Sequence, residues 1–110
     1  EFIAEVLRHD GFEVTHASSG QQAMAELRKG SFAVILSDLK MPGMDGSQLF
    51  DEMRINCPDA VAKLGFMTGD TMSPSAQAFL ESSGRPYLEK PIRPGELRDF
   101  VSRLRETVEA

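Results

Sequence analysis

Several features that would point to other classes of protein are scarce or missing in this sequence. Its one cysteine, Cys57, cannot form an internal disulfide. No apolar run approaches the roughly 18 residues that a membrane-spanning helix needs, and the start lacks the cationic leader of a secretory signal. No repeat, low-complexity tract or linker divides the 110 residues. We therefore expect a single domain, residues 1–110, that works in a reducing cytoplasm.

An excess of basic residues is also missing. The chain has 12 Lys and Arg against 17 Asp and Glu, which gives a formal net charge of −5. Surfaces that bind nucleic acid carry the opposite balance, because they must neutralise phosphates. We therefore expect no direct contact with nucleic acid, and none with a membrane. Carboxylates that converge at one point would instead suit a divalent cation.

The patterns that are present alternate between helix and strand. Phe32–Leu36 and Val61–Met67 are mainly apolar runs, as in strands covered on both faces, while Phe12–His16 alternates apolar and polar residues as a half-buried strand does. Tyr87–Leu88 predicts a very short strand. Helical stripes precede, separate and follow these segments, with stop signals at Gly11, Gly30 and Gly84 and with helix starts at Ser18 or Ser19 and at Ser73-Pro74. This order predicts a parallel sheet with helices on both faces.

Three polar residues fall where three predicted strands end: Asp38, Thr68 and Lys90. The carboxyl ends of parallel strands meet at one edge of the sheet, and ligands bind in the crevice there. A carboxylate can act as a nucleophile, while a hydroxyl and an ammonium can bind phosphoryl oxygens. The pattern therefore predicts a phosphoryl-transfer site, although each residue alone could be an ordinary strand-end or capping residue.

The segments around these residues resemble the receiver domains of response regulators. Ser37–Gly46 reads SDLKMPGMDG, like the phosphorylation loop of that family. Met67–Asp70 resembles its switch-hydroxyl segment, and Tyr87–Pro91 its lysine-proline segment. The similarity runs over the whole chain. It implies a doubly wound, flavodoxin-like α/β sandwich of three layers, with a parallel sheet in the order 2-1-3-4-5.

The resemblance also implies a role for each matching residue. Asp38 is expected to accept a phosphoryl group from a phosphohistidine of a histidine kinase or phosphotransfer domain. Thr68 and Lys90 are expected to bind the phosphoryl oxygens, and Tyr87 to turn inward as the aromatic switch residue. Mg²⁺ is the implied cofactor, bound by Asp38 and the backbone carbonyl of Lys40. The peptide bond after Lys90 is expected to be cis. Such a domain catalyses its own phosphorylation and dephosphorylation and is not a classical enzyme by itself.

One part of the family pattern is missing from the sequence. Receiver domains carry two acidic residues just after their first strand, and these bind the Mg²⁺. This sequence starts in the helix that follows that strand, so we expect the acidic pair upstream of Glu1. The missing strand belongs between Phe12–His16 and Phe32–Leu36, and without it both neighbours have an unpaired edge. A longer natural chain, a strand exchanged between copies and a rearranged sheet are the explanations left open.

Two other functions fit part of this pattern. A phosphatase of the haloacid-dehalogenase type also uses a strand-end Asp, but it needs a second Asp where this chain has Lys40. A pseudo-receiver would use the same fold as an interaction module without phosphorylation, which the missing acidic pair favours. The segment Glu81–Pro91 resembles receivers of hybrid histidine kinases, so a hybrid kinase and a single-domain regulator are both open contexts. The cognate kinase, stimulus, output, acyl-phosphate lifetime and oligomeric state are open too.

Overall fold

The computed structural model of the protein describes residues 2–39, 46–69 and 73–109, with side chains as far as residue 105. Helices and strands alternate along most of it. The helices are α1 (Phe2–His9), α2 (Gly20–Lys29), α3 (Gly46–Asn56), α4 (Pro58–Val61), α5 (Pro74–Ser83) and α6 (Pro94–Glu109). The strands are β1 (Ile35–Asp38), β2 (Leu64–Thr68) and β3 (Tyr87–Glu89).

The three strands form a parallel sheet in the order β1-β2-β3. Ile35 pairs with Leu64 across β1 and β2, and Phe66 pairs with Tyr87 across β2 and β3. All five residues of the central strand are buried, as the apolar run predicted for a strand covered on both faces. Because the strands are parallel, their carboxyl ends lie at the same edge of the sheet.

Alternate residues of β2 face two different layers of helices. Leu64 and Phe66 join a core cluster contributed by α2, α3 and α5, namely Met24, Leu49, Phe50, Met53 and Leu80. Gly65 faces α6 instead, where a Cβ built on it would lie 2.5 Å from Cε2 of Phe100. The glycine therefore lets α6 pack directly against the backbone of the sheet. This gives the three-layer α/β architecture that the sequence predicted.

Helix ends follow the local chemistry of the sequence. Ser19 caps α2, and its hydroxyl accepts a hydrogen bond from the backbone N–H of Gln22 at 3.2 Å. Gly84 ends α5 with φ at 68°, a left-handed conformation that glycine adopts without steric penalty. Pro74 begins α5, where its missing N–H has no intrahelical partner to lose. These predicted boundaries are confirmed.

The predicted strand at Phe12–His16 is wrong. Residues 12–17 belong to no helix or strand in the structure. Their burial still alternates at first, with Phe12 and Val14 half-buried and Glu13 exposed. A strand needs a neighbour that accepts and donates backbone hydrogen bonds, and β1 pairs with no strand other than β2 among the described residues. The segment thus has the side-chain pattern of a strand without its pairing.

Two other strands begin later than the sequence predicted, β1 at Ile35 and β2 at Leu64. Val61, predicted to begin a strand, ends the short helix α4, so β2 starts only at Leu64. Residues 32–34 then have no partner on β2, and pairing begins with the hydrogen bond from the N–H of Ile35 to the carbonyl of Lys63, at 2.9 Å. The sheet itself has three strands among the described residues, in the sequence order expected of the last three in the 2-1-3-4-5 arrangement.

Candidate functional site

The three predicted site residues lie at neighbouring strand ends. Asp38 ends β1, Thr68 ends β2, and Lys90 directly follows β3. Backbone hydrogen bonds fix these ends to one another, since the N–H of Lys90 donates to the carbonyl of Thr68 at 2.8 Å. On the other side of β2, the N–H of Leu39 donates to the carbonyl of Met67 at 3.0 Å. The sheet therefore brings the three side chains to one edge, as the sequence predicted.

An ion pair joins the first and third of these residues. The Nζ of Lys90 contacts the Oδ1 of Asp38 across the end of β2. Both side chains remain partly exposed, at 46% and 39%, so a phosphoryl donor can reach the carboxylate from solvent. A lysine ammonium is a compact charge that can follow an anion as it forms, without a fixed bidentate geometry. The pair can thus offer a nucleophile and a charge for phosphoryl oxygens at the same point.

Thr68 lies between the members of that pair at the end of the central strand. Its side chain is 4% exposed, which makes it one of two buried polar side chains in the described part of the chain. A hydroxyl at this point can donate a hydrogen bond to an anion on the neighbouring carboxylate. The role that the resemblance assigned to Thr68 stays a prediction.

Gly46 is a site residue that sequence reasoning noticed only as part of a loop. Its N–H donates to the carbonyl of Leu39 at 2.8 Å, which holds the start of α3 against the chain that leaves Asp38. A Cβ built on Gly46 would lie 2.9 Å from the carbonyl oxygen of Asp38 and 3.0 Å from the Cα of Leu39. Any larger residue would push the backbone of Asp38 and Leu39 away. A glycine before an amphipathic helix was the available signal, but the close approach is a tertiary fact.

Ser37 is a second residue that the sequence did not single out. It is 4% exposed, and its hydroxyl donates to the carbonyl of Asp38 at 2.9 Å. Buried hydroxyls are stable when such a hydrogen bond is made. The bond restrains the peptide that follows Asp38, so Ser37 supports the position of that residue.

The remaining predictions fall on Tyr87, Lys40 and the peptide bond after Lys90. Tyr87 begins β3 and is 47% exposed, so its ring lies on the outside. The Lys90–Pro91 peptide bond is cis, as the resemblance implied. Lys40, whose carbonyl was expected to bind Mg²⁺, lies outside the described residues.

The described residues do not complete a magnesium site. Mg²⁺ prefers octahedral oxygen coordination, and proteins usually bind it through carboxylates together with waters and substrate phosphates. Within ranges 2–39, 46–69 and 73–109, no three acidic, histidine or cysteine side chains come together to hold a metal. Asp38 supplies one carboxylate, and that carboxylate is already paired with Lys90. The fit is therefore partial, and further oxygen ligands are needed.

Comparison with known proteins gives the family. A profile of the response regulator receiver domain matches residues 1–102. The chain belongs to this family. A response regulator receiver protein of Anaeromyxobacter sp. strain Fw109-5 is 34% identical over 100 residues, which cover 91% of this chain and 41% of that protein. The receiver domain therefore spans less than half the length of this curated relative. The family match decides against the haloacid-dehalogenase phosphatase.

Solved structures agree with the fold. The chemotaxis protein CheY4 of Vibrio cholerae is 28% identical with a TM-score of 0.82, over 94% of this chain and 86% of that chain. The receiver domain of a signal transduction histidine kinase from Syntrophus aciditrophicus has a TM-score of 0.86 at 24% identity, over 98% and 82%. The second likeness concerns the fold alone. The flavodoxin-like fold predicted from the sequence is thus confirmed.

Family membership supports some expectations in general terms. Receiver domains take part in two-component signalling, interact with histidine kinases or phosphotransfer proteins, and generally bind Mg²⁺ at the phosphorylation site. In the described residues of this receiver domain, no helix is long and apolar enough to cross a bilayer.

Proposed function

We propose that this receiver domain accepts a phosphoryl group on Asp38 from a phosphohistidine of a kinase or phosphotransfer protein, and that Thr68 and Lys90 bind the phosphoryl oxygens. One observation carries the proposal: Lys90 contacts the Asp38 carboxylate at the sheet edge where Thr68 ends the strand between them. An ion pair that only stabilised the fold would not need the hydroxyl of Thr68 at the end of β2. A phosphoryl group on Asp38 would give both Thr68 and Lys90 an anion to bind.

The chemistry follows from these groups. A carboxylate oxygen of Asp38 attacks phosphorus, and a P–O bond forms as the P–N bond of phosphohistidine breaks. The imidazole leaves with the electron pair of that bond and takes up a proton from water. The ammonium of Lys90, which balances the carboxylate beforehand, moves to an equatorial phosphoryl oxygen, and the hydroxyl of Thr68 donates to another.

The product changes the charge at one point of the surface. Phosphorylation adds roughly 1.5 to 2 negative charges and three acceptor oxygens. Thr68 and Lys90 respond to that charge directly, because they lie at the same sheet edge as Asp38. Tyr87 lies at the opposite end of β3. Tyr87 is 47% exposed, so its ring is not fixed in the packed core and can change position as Thr68 moves. We propose this rotation as the surface change that a partner detects.

The setting of the domain belongs to the same proposal. We place it in the cytoplasm, where histidine kinases present their phosphohistidines, with no contact of its own to DNA or membrane. A hybrid histidine kinase and a separate regulator both remain compatible with a chain that spans less than half of the curated relative.

Intact mass spectrometry tests the acceptor. The receiver domain is incubated with acetyl phosphate and Mg²⁺, and we expect a gain of one phosphoryl group that EDTA prevents. Asp38→Asn removes the nucleophile and should abolish the gain. Asp51→Asn, the same change at an exposed site on α3, serves as the matched control and should keep it. A gain that persists in Asp38→Asn would place the phosphoryl group on another residue and contradict the proposal.

The alternative is an interaction module that is not phosphorylated. The partial metal site favours it, because the described residues offer no cluster of metal ligands beside Asp38. A folded parent chain that gains no mass with metal and donor in excess would favour this alternative. Binding of a histidine-kinase domain with equal affinity before and after donor treatment would support it further.

A further inference from the structure

The side chain of Arg85 bridges two backbone carbonyls at the start of the central strand. Arg85 lies in the connection between α5 and β3, and its Nε donates to the carbonyl of Leu64 at 2.9 Å. Its Nη2 donates to the carbonyl of Ala62, also at 2.9 Å. Leu64 begins β2, and Ala62 caps the end of α4. One half-buried guanidinium therefore ties this connection to the amino end of β2.

The carbonyl of Leu64 points toward β3. On the other side of β2, the N–H of Ile35 donates to the carbonyl of Lys63 at 2.9 Å, which places that carbonyl on the β1 side. Successive backbone carbonyls alternate between the two sides of a strand. The next carbonyl, that of Leu64, is therefore on the side of β3 and belongs to the hydrogen-bond ladder between β2 and β3.

A proline occupies the position that should donate to this carbonyl. The ladder between β2 and β3 includes the bond from the N–H of Lys90 to the carbonyl of Thr68, at 2.8 Å. Equivalent bonds recur at every second residue of a parallel pair, and two such steps lead back to Pro86 and the carbonyl of Leu64. Proline has no N–H to donate. Arg85 thus supplies from its side chain the donor that Pro86 lacks.

The backbone of Arg85 is itself tied to the end of α5. Its N–H donates to the hydroxyl of Ser83 at 3.1 Å, and that hydroxyl donates to the carbonyl of Leu80 at 2.9 Å. Burial lowers the pKa of Arg85, because the charged guanidinium loses part of its hydration, and the two carbonyls replace that water. A guanidinium presents its N–H donors in a rigid fork and can bind both carbonyls at once. The side chain is therefore held at both ends.

We propose that Arg85 is a positioning residue that replaces, from its side chain, the backbone hydrogen bond that Pro86 cannot make. The bond fixes the register of β3 on β2. Because β3 has 3 residues, each bond of its ladder is a large part of its pairing. Lys90 follows β3 directly, so the position of its ammonium beside Asp38 depends on that pairing. This last step rests on the proposed function, whereas the replacement of the hydrogen bond does not.

Hydrogen exchange tests the pairing without phosphorylation. The N–H of Phe66 donates to the carbonyl of Pro86 at 3.0 Å, so it reports the contact between β2 and β3 beside Arg85. In Arg85→Ala this amide should exchange at least about tenfold faster, the scale of losing a hydrogen bond from a charged donor. The amide of Ile35, which is bonded on the β1 side of the same strand end, should change less than about twofold. Arg28→Ala, at an exposed arginine of α2, is the matched control and should leave both amides unchanged.

Restoring the missing N–H separates the proposed role of Arg85 from a general stabilising one. Pro86→Ala returns a backbone donor opposite the carbonyl of Leu64, so the guanidinium should matter less in that background. We expect Arg85→Ala to speed exchange at Phe66 by less than about threefold when Pro86→Ala is also present. If Arg85→Ala prevents folding, Arg85→Lys gives the same comparison between the two backgrounds, because it keeps the charge but not the fork.

A double-mutant cycle tests the link from Arg85 to Lys90. Phosphorylation rates are measured by intact mass with acetyl phosphate and Mg²⁺. Arg85→Ala should slow phosphorylation by about fivefold, because Lys90 is then less often in place beside Asp38. In the Lys90→Ala background, Arg85→Ala should have almost no further effect on the rate. A general loss of folded protein would instead slow both backgrounds by the same factor.

Three outcomes would overturn the inference. The first is equal acceleration of exchange at Phe66 and Ile35 in Arg85→Ala, which would make the effect a general loss of stability. The second is an undiminished effect of Arg85→Ala in the Pro86→Ala background, which would restrict the guanidinium to capping α4. The third is the same slowing of phosphorylation with and without Lys90, which would exclude the positioning step. A parent chain that gains no phosphoryl group while the exchange results hold would count only against the proposed function.

Discussion

The two sides of β1 differ in how completely they are packed and paired. Toward β2, the backbone pairs in parallel register, and side chains such as Met53, Leu64 and Phe66 are completely buried. Away from β2, the same strand borders a groove whose far wall, residues 12–17, has no strand pairing. Asp38, the proposed acceptor, lies on the boundary between these two sides, since it pairs with Met67 of β2 and also lines the groove.

This difference concerns the two things that the proposed site needs, which are groups that bind a phosphoryl group and ligands for Mg²⁺. The paired side carries the two residues that we propose to bind a phosphoryl group, because Thr68 ends β2 and Lys90 follows β3. Among the described residues, no cluster of acidic, histidine or cysteine side chains provides metal ligands beyond Asp38. The described residues therefore bring the candidate nucleophile and the candidate anion-binding groups together without a complete set of metal ligands.

Truncation of a core side chain should give the largest effect of this comparison. Met53 is fully buried in α3, so Met53→Ala should lower the free energy of unfolding by about 3 kcal/mol. Val14→Ala on the wall of the groove should cost less than about 1 kcal/mol, since Val14 is only half-buried. Urea unfolding measures both. Equal losses at the two sites would show that the groove is closed and packed in solution.

Removal of the ammonium should have the next largest effect, on the reaction itself. Lys90→Ala deletes the charge that contacts Asp38 and should slow phosphorylation by about a hundredfold, the scale of losing one preorganised oxyanion partner. Lys29→Ala is the matched control, because Lys29 pairs with Glu26 on the surface of α2. Rates come from intact mass against time. A rate for Lys90→Ala equal to that of the control would remove Lys90 from the mechanism.

A methyl group on Gly65 should destabilise the paired side of the sheet. The added Cβ would lie 2.5 and 2.6 Å from ring atoms of Phe100, so Gly65→Ala should cost about 2 kcal/mol through overpacking. Gly30→Ala, at a glycine with open space around it, should leave the unfolding midpoint almost unchanged. If Gly65→Ala is as stable as the parent, Phe100 of α6 does not pack directly against the backbone of β2.

The smallest predicted effect concerns the hydroxyl of Thr68. Thr68→Ala should slow phosphorylation by about tenfold, since one neutral hydrogen-bond donor is worth less than a charge. Thr68→Ser keeps the hydroxyl and should restore most of the rate. Circular dichroism of both variants checks that the buried strand end is intact. Equal rates for the alanine and serine variants would mean that packing, not the hydroxyl, is what matters at Thr68.

Much of the candidate site could be predicted from the sequence. Buried parallel strands appear as apolar runs, and Asp38 and Thr68 follow directly on two of them, so their meeting at one sheet edge follows from topology. Lys90 was predicted in the same way from the very short strand at Tyr87–Leu88, although a strand as short as Tyr87–Glu89 carries little periodicity. The alternating side-chain pattern of a strand does not establish that its backbone is paired with another strand, however. Phe12–His16 has the alternating pattern but no strand pairing. A local pattern cannot show whether a neighbouring strand is present.

The sequence could not predict where helices and strands approach one another closely. Gly46 and Gly65 both stand where a Cβ would collide with another element, with the backbone of Asp38 and Leu39 in one case and with Phe100 in the other. Those collisions involve residues distant in the sequence, so composition and periodicity carry no sign of them. Ser37 was missed for the same reason, since its burial depends on how the helices cover β1.

Intact mass spectrometry after incubation with acetyl phosphate and Mg²⁺ tests the proposed site most directly, with Asp38→Asn and Asp51→Asn treated in parallel. We predict a gain of one phosphoryl group in the parent protein and in Asp51→Asn, and no gain in Asp38→Asn, because that variant lacks the carboxylate that contacts Lys90. An equal gain in Asp38→Asn and in the parent would contradict the proposal that Asp38 accepts the phosphoryl group.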